Sequence, residues 1–545
     1  MFGLMMEKQL LISSILEHAA KYHGSTEIVS KTIEGSIHRY SYSEAEQRAK
    51  KLARAIQRLG IHDGDRIGTL AWNGYRHFEL YYGVSGMGAI CHMINPRLFP
   101  GQISYIMNNA ADSLVFADLS FVDLLEKIIP EVSSVKGVIL MTDEAHMPEC
   151  SLPNVYCYET LLRSEDADYI WPQFPENMAS SMCYSSGTTG NPKGVLYSHR
   201  STVLHAIAST MPDMINIAAS DTVMPAVPMF HVNAWGLPYS ATMVGAKLVL
   251  PGMSLDGESL HQLINDEGVS ISAGVPTIWL GLLDFLERSG KTVENFKHCV
   301  IGGSSTPRAM SVELEEKYGV KVLHAWGMTE MSPLGTVNRP KQGMENETDQ
   351  ERYDRQIKQG RPCYGVDMKI ENDANERLPE NGTAFGELKV RGFWVCSGYF
   401  QHEDDSQDSE GWFATGDVST IDEDGYMHVT DRSKDVIKSG GEWISSIELE
   451  NIAIGHPAVF EAAVIGVSHP KWDERPLLVV VKNEGSEVSV QELLSYYEGK
   501  VAKWWIPDQV VFVKDLPHTA TGKLLKLELR DQFKDFSLSN GRSEN

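Results

Sequence analysis

The stretch that decides the reading is Tyr184-Ser185-Ser186-Gly187-Thr188-Thr189-Gly190-Asn191-Pro192-Lys193-Gly194. Glycine lets backbone N–H groups turn inward and approach an anion closely. The Ser and Thr hydroxyls add donors, and Lys193 adds a mobile positive charge. Apolar, strand-like runs flank the loop, Ser181 to Tyr184 before it and Val195 to Tyr197 after it. The pattern predicts a hairpin whose tip closes over a nucleotide triphosphate. It is not a P-loop. The lysine falls at the Walker A offset from Gly187, but Pro192 stands where that motif needs glycine, and Gly194 where it needs Ser or Thr. Pro192 also has no N–H to offer a phosphate.

Outward from the loop, 545 residues exceed one ordinary core and imply at least two domains. Apolar content of 42% and charged content of 22% are ordinary for globular chains. The formal charge of −25 repels nucleic-acid phosphates and anionic membranes at long range. A bound anion must therefore be gripped by local donors. The cysteines number seven, an odd count without a C-x-x-C pair, which disfavours zinc and a disulfide framework and makes a reducing cytoplasm the expected location. No run approaches the roughly 18 apolar residues of a membrane span. Met1 to Leu16 lacks a basic n-region and a cleavage site and reads as a docked helix.

Before the loop, helical and strand patterns alternate. Ala49, Leu52, Ala53 and Ile56 recur at helical spacing, and Arg66 to Leu70 reads as a buried strand. The alternation resumes after the loop, with strands at Thr222–Val227, Lys247–Leu250, Val269–Ser272, His298–Ile301 and Val320–His324. It implies a layered α/β fold. Residues 345–360 are polar and read as an exposed loop. Short strands with Gly/Asp turns then suggest a small β subdomain, and beyond Asp431 to Lys434 lie about 110 residues of βα pattern. The expected architecture is α/β: a large N-terminal domain, 1–431, of layered α/β subdomains plus a β subdomain, and a small mobile α+β C-terminal domain, 432–545.

The loop, together with Trp326-Gly327-Met328-Thr329-Glu330, Thr415-Gly416-Asp417 and Thr521-Gly522-Lys523, resembles the signatures of the adenylate-forming superfamily, which includes acyl-CoA synthetases. The resemblance implies ATP-dependent activation of a carboxylic acid, followed by transfer to coenzyme A, with Mg²⁺. It makes Ser185, Ser186, Gly187, Thr188, Thr189, Gly190 and Lys193 the triphosphate cradle. Ser185 and Glu330 become the metal partners. Tryptophan replaces the family's usual tyrosine at Trp326, which puts a hydrogen bond in question. Gly302, Gly303, Ser304, His324, Ala325, Trp326, Gly327, Met328 and Thr329 are placed along the nucleotide, with Thr329 at the α-phosphate. Asp417 is to accept the ribose hydroxyls with Arg432 in support.

By the same resemblance Lys523 is the cation that joins carboxylate and α-phosphate, and Lys434 is the hinge about which the C-terminal domain swings. Gly440, Gly441 and Trp443 line the thiol tunnel, with Lys438 acting in the second half-reaction. His231 orients the acid, Trp235 gates an acyl tunnel, and Gly303 borders the substrate. Alone, most of these residues would be structural: a lone Thr-Glu is usually a helix start, and a Gly-Asp turn is usually surface. Their joint presence carries the reading.

Thr69-Leu70-Ala71-Trp72-Asn73, Ile94-Asn95-Pro96-Arg97-Leu98-Phe99 and Lys438 to Ser446 resemble the medium- and long-chain fatty acyl-CoA synthetases and the 3-methylmercaptopropionate-CoA ligases. A short- or medium-chain acid is expected, with a long-chain acid as the alternative. The resemblance also implies a homodimer through the N-terminal domain. A luciferase-like oxidase would not need coenzyme A. An acyl-AMP ligase would carry an insertion, and a peptide-synthetase module a carrier domain; neither is evident. A non-catalytic acyl- or nucleotide-binding protein would be expected to lack Lys523 or Glu330, and both are present.

Overall fold

In the computed structural model the hairpin forms as its flanks predict. Strand Ala179–Ser185 pairs antiparallel with Lys193–Ser198, and Ser185 faces Lys193. The structure describes residues 1, 3–185, 191–402, 406–439, 442–518, 524–534 and 536, without the side chains of 442 and 443. The hairpin forms one edge of a seven-stranded sheet. The order is Val155–Cys157, Gly137–Leu140, Leu114–Ala117, Arg66–Leu70, Ile90–Met93, Ala179–Ser185, Lys193–Ser198. Every neighbouring pair but the last is parallel.

Parallel neighbours need crossover connections. Helix Tyr75–Gly86 supplies the one between Arg66–Leu70 and Ile90–Met93, and all of its residues are buried. A helix enclosed on every side shows no amphipathic stripe. Burying Phe78 there is worth about 1.5–3 kcal/mol. The ring of Tyr81 stacks on Tyr239 at 5.4 Å, and Tyr82 Oη donates to the Pro238 carbonyl at 3.1 Å. Those contacts join this helix to helix Leu237–Val244 of the second α/β unit.

The second sheet has nine strands, in the order Arg361–Pro362, Leu334–Val337, Lys321–Gly327, His298–Ile301, Ile271–Gly274, Thr222–Pro225, Lys247–Leu250, Glu27–Lys31, Ile37–Ser41. The run from Lys321–Gly327 to Glu27–Lys31 is parallel. Ser185, Pro225, Ile301 and Gly327 end parallel strands of the two sheets. The loops that follow them leave from carboxyl ends, where α/β sheets present ligand crevices.

A four-stranded antiparallel meander follows: Val366–Glu371, Phe385–Gly392, Phe413–Ile421, Met427–Arg432. The last sheet has five strands, Ile437–Ser439, Glu442–Ile444, Val459–His469, Asp473–Lys482 and Gln509–Phe512. Asp431 and Arg432 close the last strand of the meander, and Ser433 to Val436 lead into the next sheet.

Two expectations need correction. Residues 345–360 are not all loop: Asp349–Gln356 is a helix. Thr348 and Glu351 form its capping box, and Arg355 binds Glu347 at 2.9 Å and Asn338 at 2.6 Å. Polar side chains hold it, so the apolar period is missing. The N-terminal helix spans Ile12–Tyr22 rather than Met1 to Leu16, and Leu4, Met5 and Met6 are exposed. Asp417 sits inside strand Phe413–Ile421, paired with Arg432 on the next strand.

Candidate active site

Ser185 Oγ donates to the Lys193 carbonyl at 3.4 Å across the base of the hairpin. The Phe400 N–H donates to the Gly194 carbonyl at 2.8 Å. A Cβ at Gly194 would fall 3.1 Å from the Tyr184 ring and 3.2 Å from Phe400, so the strand packs tightly here. Lys193 Nζ lies 4.8 Å above the centre of the Tyr399 ring, a cation–π contact. Tyr399 Oη donates to Glu330 Oε1 at 2.8 Å. Burial, then the Glu330 carboxylate, push the Tyr399 phenol above its usual range, so it stays a neutral donor.

Glu330 is buried on a 3-10 turn, Thr329–Met331. Its carbonyl accepts from the Cys396 N–H at 2.8 Å, and the Thr329 carbonyl accepts from Tyr197 Oη at 2.7 Å. The hairpin lysine and the Glu330 carboxylate thus share one phenol, the lysine over its ring and the carboxylate at its hydroxyl. Sequence reasoning missed Tyr399, because Ser397-Gly398-Tyr399-Phe400 looks like any loop.

On the nucleoside side, Trp326 Nε1 donates to Asp417 Oδ2 at 2.9 Å, and Arg432 Nε pairs with Asp417 Oδ1 at 2.8 Å. The Asp417 N–H donates to Thr415 Oγ1 at 3.1 Å, and Thr415 Oγ1 donates to the Leu388 carbonyl at 2.8 Å. Three segments more than ten residues apart in sequence converge on one carboxylate. The indole covers Gly335 on the neighbouring strand, where an added methyl would come within 2.5 Å of two ring carbons. His324, one strand position before Ala325, is buried and neutral, its pKa lowered to about 4 by burial. Its Nδ1 lies 3.2 Å from the Gln356 carbonyl, so it supports the strand from behind.

The acyl side is built differently. Val232, Asn233, Ala234 and Trp235 have φ of 46°, 53°, 50° and 56°, and Gly236 follows at 74°. This is a left-handed turn, which costs roughly 1–2 kcal/mol per non-glycine residue. Neighbours impose it. Asn233 Nδ2 donates to Ser181 Oγ at 3.1 Å, and a side chain at Gly236 would strike the His205 ring at 2.7 Å. Asn73 holds the preceding loop through the Pro225 and Val227 carbonyls at 2.8 Å and the Met229 N–H at 2.7 Å. Phe230 lies beneath Arg97 at 5.7 Å and beside Trp72 at 5.8 Å. His231 is half-buried at the start of the turn.

The turn presses Trp235 against the Gly302–Gly303 backbone. A methyl at Gly302 would come within 3.2 Å of the indole. Trp235, Gly302 and Gly303 are therefore brought together. Ser304 is exposed just beyond them.

The profile of the AMP-binding enzyme family matches residues 15–400, and that of the AMP-binding enzyme C-terminal domain matches residues 448–523. The chain belongs to the AMP-binding enzyme family. It is 53% identical over 535 residues to the 3-methylmercaptopropionyl-CoA ligase of Ruegeria lacuscaerulensis, covering 98% of this chain and 99% of that one. It is 51% identical over 543 residues to the medium-chain-fatty-acid–CoA ligase of Ectopseudomonas oleovorans, covering 100% of both. Its fold matches the anthranilate CoA ligase AuaEII in complex with anthranoyl-AMP, with TM-score 0.85 and 24% identity over 96% of this chain and 97% of that one.

In this AMP-binding enzyme, Ser186, Gly187, Thr188, Thr189, Gly190, Gly440, Gly441 and Lys523 lie outside the described residues, as does the side chain of Trp443. The segment just after Lys523 is anchored. Lys526 is buried, with Nζ 2.6 Å from Ser446 Oγ and 2.7 Å from Glu450. Burial opposes its charge, but the Glu450 and Asp431 carboxylates outweigh that and hold the ammonium above its usual range. Asp431 in turn accepts from the Ser446 N–H at 2.5 Å and Ser446 Oγ at 3.0 Å. Lys434 and Lys438 are exposed beside this cluster. Among the described residues no group of three His, Cys, Asp or Glu is set to hold a metal. No described helix is long and apolar enough to cross a membrane.

Proposed function

We propose that the chain is an AMP-forming acyl-CoA ligase for a short- or medium-chain acid, 3-methylmercaptopropionate among the candidates. The observation that carries the reading is the convergence of Lys193, Glu330 and the Trp326–Asp417–Arg432 triad around the carboxyl ends of parallel strands. The named ligases to which the chain is similar support the choice of reaction.

In the first half-reaction a carboxylate oxygen of the acid attacks the α-phosphorus of ATP. The bond to the bridging oxygen breaks and pyrophosphate leaves. Lys193 and the hairpin donors hold the departing phosphates. Thr329 borders the α-phosphate and Asp417 holds the ribose. Lys523 offsets the repulsion between two anions. In the second half-reaction the coenzyme A sulfur, having lost its proton, attacks the acyl carbon, and AMP leaves.

Mg²⁺ favours oxygen donors and keeps several waters, so one buried carboxylate beside a hydroxyl loop fits it, with Glu330 and Ser185 as the residues that would hold it. When bound, it would neutralise phosphate charge. We assign domain 1–431 to adenylation and 432–545 to a mobile carrier of Lys523, hinged at Lys434. Lys438, Gly440, Gly441 and Trp443 then face the thiol after the swing. A homodimer through the N-terminal domain rests on the resemblance to the fatty acyl-CoA synthetases and a cytoplasmic location on the cysteine pattern, and light scattering tests the mass.

The long-chain alternative is favoured by one feature: Trp235 sits on a strained turn that could relax and open a tunnel. An acid panel with ATP, Mg²⁺ and coenzyme A, following AMP and pyrophosphate, separates the readings. We expect acid- and thiol-dependent AMP release with a maximum among short or medium acids. A maximum at long acids overturns the substrate assignment. Product formation without coenzyme A points to an oxidase, and no turnover leaves a binding protein.

A further inference from the structure

We infer that Trp326 is a positioning residue for the ribose of the nucleotide, acting through Asp417, and that this is what tryptophan supplies here in place of tyrosine. The inference rests on the ligase reading above. A carboxylate offers about four acceptor positions. At Asp417 one on each oxygen is taken, Oδ2 by the Trp326 N–H at 2.9 Å and Oδ1 by Arg432 at 2.8 Å. The positions left over, one per oxygen, suit a pair of vicinal hydroxyls. The two protein donors set the rotation of the carboxylate, so the remaining lone pairs point in one direction before any ligand arrives.

The sequence makes room for this arrangement. Trp326 pairs with Thr336 across the strands, and its ring lies over Gly335, where any side chain would collide with it. The ring is therefore pinned over its strand neighbour and its edge is aimed at Asp417. Only 8% of Trp326 is exposed and only 2% of Asp417. An indole so enclosed serves as a hydrogen-bond donor more than as an open stacking face. The low exposure of the pair strengthens the bond between them. Phenylalanine would keep an aromatic ring but leave Oδ2 without its partner, and the carboxylate could turn.

The test compares kcat/KM for ATP, 2′-deoxyATP and 3′-deoxyATP, read as acid-dependent pyrophosphate release, in the wild type and in Trp326→Phe. For ATP the variant should lose about tenfold or more, mainly through KM, the typical effect of removing a hydrogen bond to a charged group. For the deoxy substrates, which lack one of the hydroxyls, the loss should be much smaller, so discrimination between ribose and deoxyribose shrinks. A purely structural role would lower all three substrates by one common factor, and that result, or no loss at all, overturns the inference. Should Trp326→Phe fold poorly, 3-benzothienylalanine placed at 326 keeps the ring shape and removes only the N–H; the same outcomes then decide. If the wild type shows no acid-dependent pyrophosphate release, the ligase reading falls as well. If it turns over and discrimination persists in the variant, only the role of Trp326 falls.

Discussion

The proposed nucleotide side and the proposed acyl side of the site are held by opposite means. On the nucleotide side the contacts are hydrogen bonds of 2.8 and 2.9 Å between strand and turn residues, and a lysine resting on a phenol. On the acyl side, four successive non-glycine residues carry positive φ, and the turn persists only because Ser181, Asn73 and His205 surround it. The first region suits a ligand that is the same in every turnover. The second stores strain where acids of different length must be told apart, and stored strain is a means of holding a side chain in a position it could leave.

The largest effect expected concerns the lysine that completes the nucleotide side. Lys523→Ala should slow acyl-adenylate formation by about 10²–10³, the usual cost of removing a preorganised charge partner. Transfer from preformed acyl-AMP to coenzyme A should persist. Equal loss of both steps would break the division of labour between the two domains.

Next is the phenol between Lys193 and Glu330. Tyr399→Phe removes the donor to a buried carboxylate, worth about 1.5–3 kcal/mol, or roughly 10- to 100-fold. Pyrophosphate release, titrated against Mg²⁺, should show this loss. An unchanged rate would mean that the two charged groups do not act through Tyr399.

A smaller effect, and one of specificity, is expected from Trp235→Ala. Removing the indole from Gly302 and Gly303 should admit longer acids, each added methylene contributing about 0.8 kcal/mol, close to fourfold in affinity. A chain-length profile identical to wild type would show that the indole does not limit the pocket.

The smallest effect tests the strain itself. Ala234→Gly relieves roughly 1–2 kcal/mol of left-handed strain and costs about 0.5–1 kcal/mol in backbone entropy. Stability measured by denaturant unfolding should rise by up to about 1 kcal/mol. A clear fall would mean that the turn is less costly than its dihedral angles imply.

Much of this was legible beforehand. The flanks of the proposed phosphate loop announce its hairpin through apolar runs on either side of a Gly/Ser/Thr cluster, and Asp417 and Arg432, singled out together in the sequence, form an ion pair. Other features were hidden for identifiable reasons. Strand Phe413–Ile421 escapes a reading of the sequence because Gly416 interrupts its pattern, although its partners on both sides keep it a strand. Helix Asp349–Gln356 is held by a cap and ion pairs, so a search for apolar periodicity passes over it. Tyr399 has no local signal, since its contacts are with Lys193 over its ring and Glu330 at its hydroxyl.

The amino-acid order alone determined the chemistry on offer: glycines and hydroxyls for phosphate, one carboxylate for a cation, another for a diol, and a lysine near the tail. These are properties of residue types at short spacing, where local geometry suffices. Which groups actually meet was decided only by the folded chain. Trp326 reaches Asp417, ninety-one positions away, because separate sheets bring them together. The left-handed turn at Val232 exists against the preference of its own residues. Long-range packing can override a local bias of one or two kcal/mol per residue, and no short stretch of sequence records the neighbours that do so.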